Sequence, residues 1–442
     1  MKSLWLAGPL LTDLYEITMA AGYWAQDLRA PATFSVFVRN PGQKRNFFVA
    51  AGLATILREL ENYRFCAEDI DYLQGLDLFA PDFLAFLEQL RFGGDVHALP
   101  EGTLFFPEEP ILEITAPIIE AQLIETLVLN TIGMASLIAT KAARCVHAAQ
   151  GRPLVDFALR RTHGPDAGDQ VARSTYLAGF VATSNLRAGQ RYGIPVAGTM
   201  AHAFVSAFAS ELEAFRAYAA TFPHNTIFLI DTYDTLRGAG HAATVALEMR
   251  HRGHTALGVR LDSGDMIALS REVRRILDGA GLPDMKIYAS SSFDEVRIAE
   301  VVQAGAPIDA FGVGTRVGVS ADAPYLDIVY KLVRLGNRDV RKLSPGKANW
   351  AGKKQIFRQS DPDGFFREDI IGCRKETIPE AQPLLKPVMV RGRRITSEIA
   401  LIDIRDHFAK QFGSLAQGYK DIHRYEAYPV RVSEALQARQ PN

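Results

Sequence analysis

The chain has 442 residues, 48% of them hydrophobic and 22% charged, and its 49 Lys and Arg residues nearly balance its 50 Asp and Glu residues. A net charge near zero argues against a nucleic-acid groove as the main function, and no unbroken apolar run predicts a membrane span. The N-terminus has no signal-peptide pattern, and Cys66, Cys145 and Cys373 are far apart. We therefore expect a cytoplasmic protein of two or three domains with reduced thiols and without a zinc cluster.

The first part of the chain, residues 1–115, mixes helical stretches with alternating, strand-like pieces such as ATFSVFVRN and PILEITAP. Too few apolar residues in this part follow a helix or strand periodicity to form a convincing hydrophobic core from this part alone. We expect it to need a partner segment from elsewhere in the chain.

The central part repeats one pattern from about residue 150 to 315, in which a short apolar, β-branched run precedes an amphipathic helical stretch. Continuous apolar runs are typical of parallel strands that are buried on both faces. Because six units fall short of the usual eight, we predict an α/β fold with an incomplete or irregular parallel β/α barrel (TIM-like) at 116–324, in preference to an open doubly wound sheet. The six runs are PLVDFALRR (153–161), IPVAGTMAH (194–202), TIFLIDTYD (226–234), ALGVRLDSGD (256–265), KIYASSS (286–292) and AFGVGT (310–315).

The last part, residues 325–442, resembles the first in its mixed pattern and contains strand–turn–strand signals around RKLSPGKANWAGKKQIFR. We predict that residues 1–115 and 325–442 together form one α/β layer domain built from both chain ends.

Polar residues follow the six predicted strands, and a parallel barrel brings the carboxyl ends of its strands to one shared mouth. An Asp or Ser after a strand is commonly a helix N-cap, so each residue alone has a structural explanation. Their convergence is more than capping requires and predicts an active site. The residues are Arg160, Arg161, His163, Thr199, His202, Asp231, Asp234, Arg260, Asp262, Ser263, Asp265, Ser290, Ser291, Gly312, Gly314 and Thr315.

The segment VRLDSGD places two carboxylates, Asp262 and Asp265, around a turn formed by Ser263 and Gly264. Carboxylates can accept hydrogen bonds from sugar hydroxyls and can hold Mg²⁺ that is bridged to phosphates. The segment therefore predicts a sugar-binding site and, more weakly, a magnesium site.

The segment FGVGT lets backbone N–H groups approach an anion closely, and Thr315 adds a hydroxyl donor. Three arginines, Arg160, Arg161 and Arg260, can bind a carboxylate through paired hydrogen bonds. The strand ends together predict a site for an anionic sugar phosphate and a small organic acid.

Seven segments occur in the order found in one family: LLTDLYEITMAAGYW, FALRRTHG, ATSNLRAGQRYGIPVAGTMAH, LIDTYDT, GVRLDSGD, FGVGT and SPGKANWAGKKQIFR. Through them the chain closely resembles nicotinate phosphoribosyltransferases over nearly its whole length. The resemblance implies transfer of phosphoribosyl from 5-phosphoribosyl 1-pyrophosphate to nicotinate, giving nicotinate mononucleotide and pyrophosphate in NAD salvage. It also implies Mg²⁺ and ATP hydrolysis coupled through a phosphohistidine, which falls on His202.

The resemblance further implies that Asp231 holds the other imidazole nitrogen, that Asp262 binds the ribose, and that Tyr15 stacks on nicotinate against Phe157 in a neighbouring subunit. A homodimer with shared active sites follows. Residues Arg39, Lys331 and Lys347 would bring cations to the phosphates. The complete predicted set of substrate-binding residues is Tyr15, Arg39, Phe157, Arg160, Thr199, Arg260, Ser263, Gly264, Gly312, Gly314, Thr315, Lys331 and Lys347.

Three alternative functions remain to be distinguished. A nicotinamide phosphoribosyltransferase would present an acidic residue to the amide, and the basic segment NLRAGQRYGIP (185–195) offers none. A non-catalytic phosphosugar-binding protein would need neither His202 nor Asp231, and a barrel aldolase or isomerase would need a Schiff-base lysine that the strand ends lack. One segment departs from the family pattern that the resemblance implies, because KIYASSSFDE has serines where relatives often carry a glycine or a Ser-Asn or Gly-Asp pair.

Overall fold

The structure, a computed structural model, describes residues 7–40, 42, 45–344 and 349–441. It divides into two compact units, the first made of the residues up to Leu137 with those from Tyr325 onward, and the second of Ile138–Pro324. The predicted phosphate-binding residue Lys347 lies outside the described residues.

The helices are α1 (Leu14–Ala25), α2 (Leu53–Glu61), α3 (Ala67–Gly75), α4 (Pro81–Gln89), α5 (Ile118–Gln122), α6 (Glu125–Ala148), α7 (Pro165–Leu177), α8 (Leu186–Tyr192), α9 (His202–Ser206), α10 (Glu211–Thr221), α11 (Thr235–His251), α12 (Met266–Gly279), α13 (Glu295–Gln303), α14 (Thr315–Gly318), α15 (Leu401–Gly413) and α16 (Glu434–Ala438). The strands are β1 (Pro31–Val38), β2 (Phe48–Val49), β3 (Asp95–Ala98), β4 (Leu104–Phe105), β5 (Leu112–Pro117), β6 (Leu154–Asp156), β7 (Ala182–Thr183), β8 (Ile227–Leu229), β9 (Gly258–Leu261), β10 (Lys286–Ala289), β11 (Ala310–Val313), β12 (Ile328–Leu335), β13 (Arg338–Asp339), β14 (Lys354–Ser360), β15 (Phe366–Cys373), β16 (Ala381–Pro383), β17 (Lys386–Val390), β18 (Arg393–Arg394) and β19 (Val430–Val432).

The first unit is built on a seven-stranded antiparallel sheet in the order β13-β12-β1-β5-β3-β17-β18. Strands β1, β3 and β5 come from the first part of the chain and the other four from the last part, so this sheet contains both chain ends. In the centre, Val36 on β1 pairs with Tyr330 on one side and Leu112 on the other. A smaller sheet has the order β16-β14-β15-β19, and β2 pairs with β4.

The core of the first unit forms where helices α2 and α4 cover this sheet. Phe34 on β1 stacks on Tyr330 with ring centroids 4.6 Å apart. Burial of each such side chain contributes roughly 1.5–3 kcal/mol. Fully or almost fully buried members of this core include Val36, Leu60, Phe83, Leu87, Val96 and Ile114.

The segment Ile118–Ala148, which contains α5 and α6, is long and apolar enough to cross a membrane by length and composition, with a mean hydropathy of 1.6. The pattern of apolar runs in the sequence did not predict this segment. Its most apolar window is 67% buried within the protein, whereas a membrane helix would turn most of its side chains toward lipid. This burial is typical of a core helix.

The second unit contains a six-stranded sheet in the order β7-β6-β11-β10-β9-β8, and all of its strand pairs are parallel. The predicted α/β fold with a parallel sheet is therefore confirmed. The first strand in sequence, β6, pairs with the last, β11, as in a barrel. However, the edge strands β7 and β8 do not pair in the described part of the chain, so a barrel is not confirmed.

The predicted strand IPVAGTMAH (194–202) is wrong. Only Val196 makes an isolated parallel bridge, to Thr183, and α9 begins at His202. Pro195 has no N–H to donate and Gly198 weakens extended structure, so this run cannot form a regular strand. The sixth strand is instead β7, which is only two residues long and too short to be found from hydrophobic periodicity.

Candidate active site

The carboxyl edge of the six-stranded sheet, where its parallel strands end, carries most of the predicted site residues. A chain of contacts links these strand ends: residues after β8 contact residues after β9, which contact Ser290 after β10. The loop before α9 joins them, because Arg260 on β9 donates to the Met200 carbonyl at 3.1 Å. The structure therefore brings four of the predicted segments together within the second unit.

His202 is the first residue of α9 and its side chain is 45% exposed. Its Nδ1 lies 3.1 Å from the hydroxyl oxygen of Thr232, within hydrogen-bond distance. Its Nε2 lies 3.7 Å from Oδ2 of Asp262, which is too long for a hydrogen bond but close enough for electrostatic attraction. One ring nitrogen is thus held by a hydroxyl, and the other faces a carboxylate and solvent.

Asp231 follows β8 and does not contact the imidazole, so its predicted role as the partner of His202 differs from the geometry. Its Oδ2 accepts instead from the backbone N–H of Asp262 at 3.0 Å and from the Ser263 hydroxyl at 2.5 Å. Its Oδ1 is buried and has no hydrogen-bond partner among the described residues. Asp231 therefore fixes the VRLDSGD turn and keeps one buried acceptor for a ligand.

Asp262 is held from two sides at the end of β9. Its N–H donates to Asp231, and its Oδ1 accepts from the hydroxyl of Ser290 at 2.5 Å. Ser290 is only 4% exposed, so it orients Asp262 and does not face a ligand in solvent. Since its Oδ2 points toward His202, Asp262 presents one carboxylate oxygen next to the imidazole.

Arg260 brings a half-buried positive charge to the same place. Burial lowers the pKa of its guanidinium, while the nearby carboxylates Asp262 and Asp231 raise it and Arg160 lowers it. Its Nε is buried and has no hydrogen-bond partner among the described residues. A buried donor without a partner is costly, so this nitrogen is suited to an anionic ligand.

Phe157 follows β6 and lies against the glycines of the FGVGT segment. A Cβ at Gly312 would lie 2.5 Å from Cδ2 and Cε2 of the Phe157 ring. The absence of a side chain at Gly312 is therefore needed for the ring to pack on β11. This contact gives Gly312 a packing role, and the expected approach of its backbone to an anion stays a prediction.

We predict that Gly312→Ala displaces the Phe157 ring and raises KM for the aromatic substrate. The overpacked site should also cost about 1–3 kcal/mol of unfolding free energy, measured by urea denaturation. Gly240→Ala is the control, because Gly240 lies inside α11 with open space around its Cα; alanine there should leave KM unchanged and stabilise the helix slightly. Equal KM values for the Gly312 variant and the wild type would contradict the packing role.

The predicted magnesium ligands have different surroundings. Oδ1 of Asp265 accepts from the backbone N–H groups of Ile267 and Ala268 and so caps α12. We therefore assign Asp265 to the cap, as expected of an acid after a strand, and keep Asp262 as a candidate ligand. The described residues contain no group of three or more His, Cys, Asp or Glu side chains that could hold a metal ion.

The turn between these two acids depends on Gly264, whose φ of +84° favours glycine. Two serines after β10, Ser291 and Ser292, also have positive φ values, 93° and 50°. The backbone here takes the conformation that a glycine, one of the alternatives expected in relatives, adopts most easily. The serine segment is therefore strained here, beside Asp262.

The other predicted residues of the second unit lie in loops and short turns around this cluster. The Thr199 hydroxyl donates to the Met200 carbonyl at 3.3 Å, and Arg160 is in a short 3-10 turn, close enough to Arg260 to lower its pKa. Gly314 precedes α14, and Thr315 is its exposed first residue. Within the described part of the chain, no hydrogen bond or ion pair places Arg161 or His163 at the cluster.

Three predicted residues lie in the first unit, where they form two groups. Tyr15 on α1 is 46% exposed; burial and the nearby Glu125 carboxylate raise the pKa of its phenol. Burial also raises the pKa of Glu125, whereas the charge of Lys331 lowers it, so Tyr15 and Lys331 lie around one carboxylate.

Arg39 lies in the second group, 3.5 Å from Asp327 and close to Glu108. Burial raises the pKa of Glu108 to about 7, while Arg39 lowers it and Asp327 raises it. Arg39 therefore shares a partly buried cluster with two acids, Glu108 and Asp327.

We predict that Glu108 titrates near pH 7 in the folded protein, measurable by carboxyl ¹³C NMR. A raised folded-state pKa means that the native state binds the proton more tightly than the unfolded state. This contribution to stability is complete below the ordinary value of 4.5 and falls as the pH rises toward about 7. Glu108→Gln should flatten the stability profile in this window, and an Arg39→Gln change should raise the Glu108 midpoint further; a midpoint near 4.5 would contradict the assignment.

Sequence reasoning missed Thr232, the residue that contacts His202. It lies inside the quoted motif LIDTYDT, directly after Asp231, so its position after β8 was a usable signal. The Met200 carbonyl that holds Arg260 gave no signal, because backbone acceptors cannot be distinguished by residue type.

The carboxyl edge of the parallel sheet carries an imidazole, two carboxylates and a half-buried guanidinium. Such a site is typical of the class of α/β proteins whose active sites lie at the ends of the strands. Residues 10–133 match the nicotinate phosphoribosyltransferase N-terminal domain, residues 153–344 the nicotinate phosphoribosyltransferase family, and residues 379–440 the C-terminal domain. The chain belongs to the nicotinate phosphoribosyltransferase family.

Individual relatives are similar to this chain over nearly its whole length. Nicotinate phosphoribosyltransferase pncB2 of Mycobacterium tuberculosis is 48% identical over 97% of this chain and 92% of its own length. The Bacillus subtilis nicotinate phosphoribosyltransferase is 38% identical over 96% and 93%. The crystal structure of human nicotinic acid phosphoribosyltransferase superposes with a TM-score of 0.88 at 31% identity, covering 97% of this chain and 98% of the human one.

Proposed function

We propose that this protein transfers the phosphoribosyl group of 5-phosphoribosyl 1-pyrophosphate to nicotinate, giving nicotinate mononucleotide and pyrophosphate in NAD salvage. ATP hydrolysis is coupled to the transfer through phosphorylation of His202. The enzyme is cytoplasmic and acts as a homodimer. The proposal is supported by family membership and by the polar cluster at the carboxyl edge.

The observation that carries the substrate assignment is the unpartnered Nε of Arg260 in a half-buried position. A carboxylate can satisfy this donor by a charge-assisted hydrogen bond. An amide oxygen is uncharged and accepts a weaker hydrogen bond than a carboxylate. We therefore favour nicotinate over nicotinamide, with the pyridine ring against Phe157 and the carboxylate at Arg260.

The sugar and phosphates occupy the acidic side of the cluster. Asp262 offers Oδ2 to ribose hydroxyls, and the buried Oδ1 of Asp231 is a second acceptor with no partner among the described residues. Thr315 and the backbone at Gly314 offer donors to phosphate at the end of β11. Ser263 and Thr199 lie at the rim, where their hydroxyls can exchange partners when substrates bind.

Magnesium fits this arrangement. Mg²⁺ keeps several waters and uses one or two protein carboxylates together with substrate phosphates, so a dedicated set of three protein ligands is not required. Asp262 would hold the ion, and the free buried oxygen of Asp231 is the second candidate. When bound, the ion would neutralise phosphate charge and stabilise the pyrophosphate leaving group.

Residues of the first unit complete the site across a dimer in this proposal. Tyr15 supplies an aromatic ring to nicotinate, and Arg39, Lys331 and Lys347 supply positive charge to the phosphates. The exposed apolar side chains Leu11, Leu14 and Met19 surround Tyr15 at the start of α1. An exposed apolar helix face with an aromatic residue at its centre is suited to an interface.

The test is a product assay with nicotinate and 5-phosphoribosyl 1-pyrophosphate, with and without ATP. We expect nicotinate mononucleotide as the product, stimulation by ATP, and a much lower kcat/KM with nicotinamide. Preference for nicotinamide would support the alternative enzyme of the same family, and absence of any nucleotide product would support a phosphosugar-binding protein. Sedimentation of the full chain tests the dimer.

A further inference from the structure

We infer that Asp156 is a positioning residue that, together with the hydroxyl of Thr183, holds the Phe157 ring in place for stacking on the substrate. The inference rests on the proposed function, in which the pyridine ring of nicotinate lies against Phe157. Asp156 is the last residue of β6, and neither the pattern of polar strand ends nor the family resemblance assigned a role to it.

The Asp156 carboxyl group is buried and has no cationic partner among the described residues. The residue is 1% exposed. Burial raises the pKa of its carboxyl, while hydrogen bonds from Thr183 and from the backbone of Ala158 lower it. Burying an acid costs free energy unless its oxygens are hydrogen-bonded, and an apolar side chain in β6, which has neighbouring strands on both sides, would avoid this cost. Packing of the sheet therefore does not explain the acid.

The two carboxyl oxygens bind groups that lie on either side of them in the fold. Oδ1 accepts from the N–H of Ala158 at 2.8 Å, which closes an Asx turn around Phe157. Oδ2 accepts from the Thr183 hydroxyl at 2.7 Å, and Thr183 is the residue of β7 that pairs with Asp156. The same hydroxyl oxygen accepts from the N–H of Asn185 at 3.1 Å. One side chain thus fixes the turn that carries Phe157 and joins it to β7.

The Phe157 residue is in contact with β11 as well. Its N–H donates to the Val313 carbonyl at 2.9 Å. A Cβ at Gly312 would lie 2.5 Å from two ring carbons, and one at Gly314 would lie 3.2 Å from the Phe157 carbonyl oxygen. Strand β11 therefore supports Phe157, and the Asx turn fixes the backbone from which the partly exposed ring projects. Stacking depends on the offset and angle of the two rings, so a looser turn would weaken it.

The hydrogen bond between Thr183 and Asp156 is tested by two substitutions of Thr183. Thr183→Val keeps the shape and removes the hydroxyl, whereas Thr183→Ser keeps the hydroxyl. In steady-state kinetics of the full chain, we expect Thr183→Val to raise KM for nicotinate by roughly three- to tenfold, the range that corresponds to loss of an aromatic contact. The kcat and the KM for 5-phosphoribosyl 1-pyrophosphate should stay within about twofold of the wild type, and Thr183→Ser should restore KM for nicotinate.

A role that acts through the ring is separated from other roles by a double-mutant cycle. In a Phe157→Leu background the ring is absent, so Thr183→Val should raise KM for nicotinate no further. Asp156→Ala removes the acceptor of the same hydrogen bond and should behave in the same way in both backgrounds, which supplies a second variant if the valine variant does not fold. A rise in KM as large in Phe157→Leu as in the wild type would overturn the inference.

Thr175→Val is the matched control for loss of a buried hydroxyl in the second unit. Thr175 and Thr183 are both fully buried, and the Thr175 hydroxyl donates to the Ala172 carbonyl within α7 at 3.1 Å. The control is expected to lower the thermal midpoint and leave KM for nicotinate unchanged. If Thr183→Val does the same, the hydrogen bond to Asp156 serves stability alone and the inference is wrong.

Two measurements of ring position complete the test. In a crystal structure of the wild type with nicotinate, the pyridine ring should face Phe157, and a pyridine bound elsewhere would overturn the inference. In protein labelled with ¹³C-glycine, the Hα shifts of Gly312 report the nearby ring and should change in Thr183→Val but not in Thr175→Val. If the wild type forms no nicotinate mononucleotide, the proposed function fails, while the Gly312 shifts still decide whether the hydrogen bond positions Phe157.

Discussion

His202→Gln is expected to abolish ATP-dependent phosphorylation of the protein and the stimulation of product formation by ATP. Glutamine has a similar size and can still bond to Thr232, but it has no nitrogen lone pair that can accept a phosphoryl group. Labelling with [γ-³²P]ATP should yield an acid-labile, base-stable phosphate in the wild type. In the variant the label should fall by at least about two orders of magnitude.

His241→Gln is the matched control, because His241 is also in the second unit and its Nδ1 is also hydrogen-bonded, to Glu211. It lies on α11 away from the carboxyl edge and should be labelled like the wild type. A His202→Gln protein that is still labelled would exclude His202 as the phosphate acceptor, whatever the identity of the substrate.

The sequence predicted the parallel sheet because five of its strands are short, apolar runs buried on both faces, such as β9 and β11. It did not predict which strands form the two edges of the sheet. Strand β7 has two residues, and the run that was taken for a strand contains Pro195 and Gly198. Barrel closure depends on whether β7 and β8 can pair, which is decided by three-dimensional geometry and not by the pattern of either segment.

For the site, the sequence predicted which segments contribute, since acids, an arginine and a histidine follow successive strands. The pairing of these side chains was not predictable in the same way. Asp231 was expected at the imidazole but accepts from Asp262 and Ser263, because the tight turn after β9 turns its N–H and hydroxyl groups toward β8. Gly312 also makes room for the Phe157 ring, a packing role that its motif did not predict. Partner choice depends on distances of a few ångströms that no motif encodes.

Asp262→Asn is expected to lower kcat by about two to three orders of magnitude and leave the fold intact. The asparagine oxygen can still accept from Ser290, so the turn after β9 should keep its geometry. The substitution removes the negative charge that faces His202 and that, in the proposed function, would face the ribose hydroxyls and Mg²⁺. Steady-state kinetics with varied 5-phosphoribosyl 1-pyrophosphate and varied Mg²⁺ should show lower kcat and a higher magnesium requirement, with an unchanged thermal midpoint.

Asp309→Asn is the control for this change of charge. Asp309 directly precedes β11 and thus lies at the amino edge of the same sheet, opposite Asp262, and its Oδ2 accepts from the Ile287 N–H at 2.9 Å. Asparagine preserves that bond, so the kinetics should match the wild type. Each variant removes one negative charge from the same sheet. A loss of kcat that is confined to Asp262→Asn would therefore locate the chemistry at the carboxyl edge. Unchanged kinetics in Asp262→Asn would instead remove the ribose and metal assignments, and the orphaned oxygen of Asp231 would become the candidate for both.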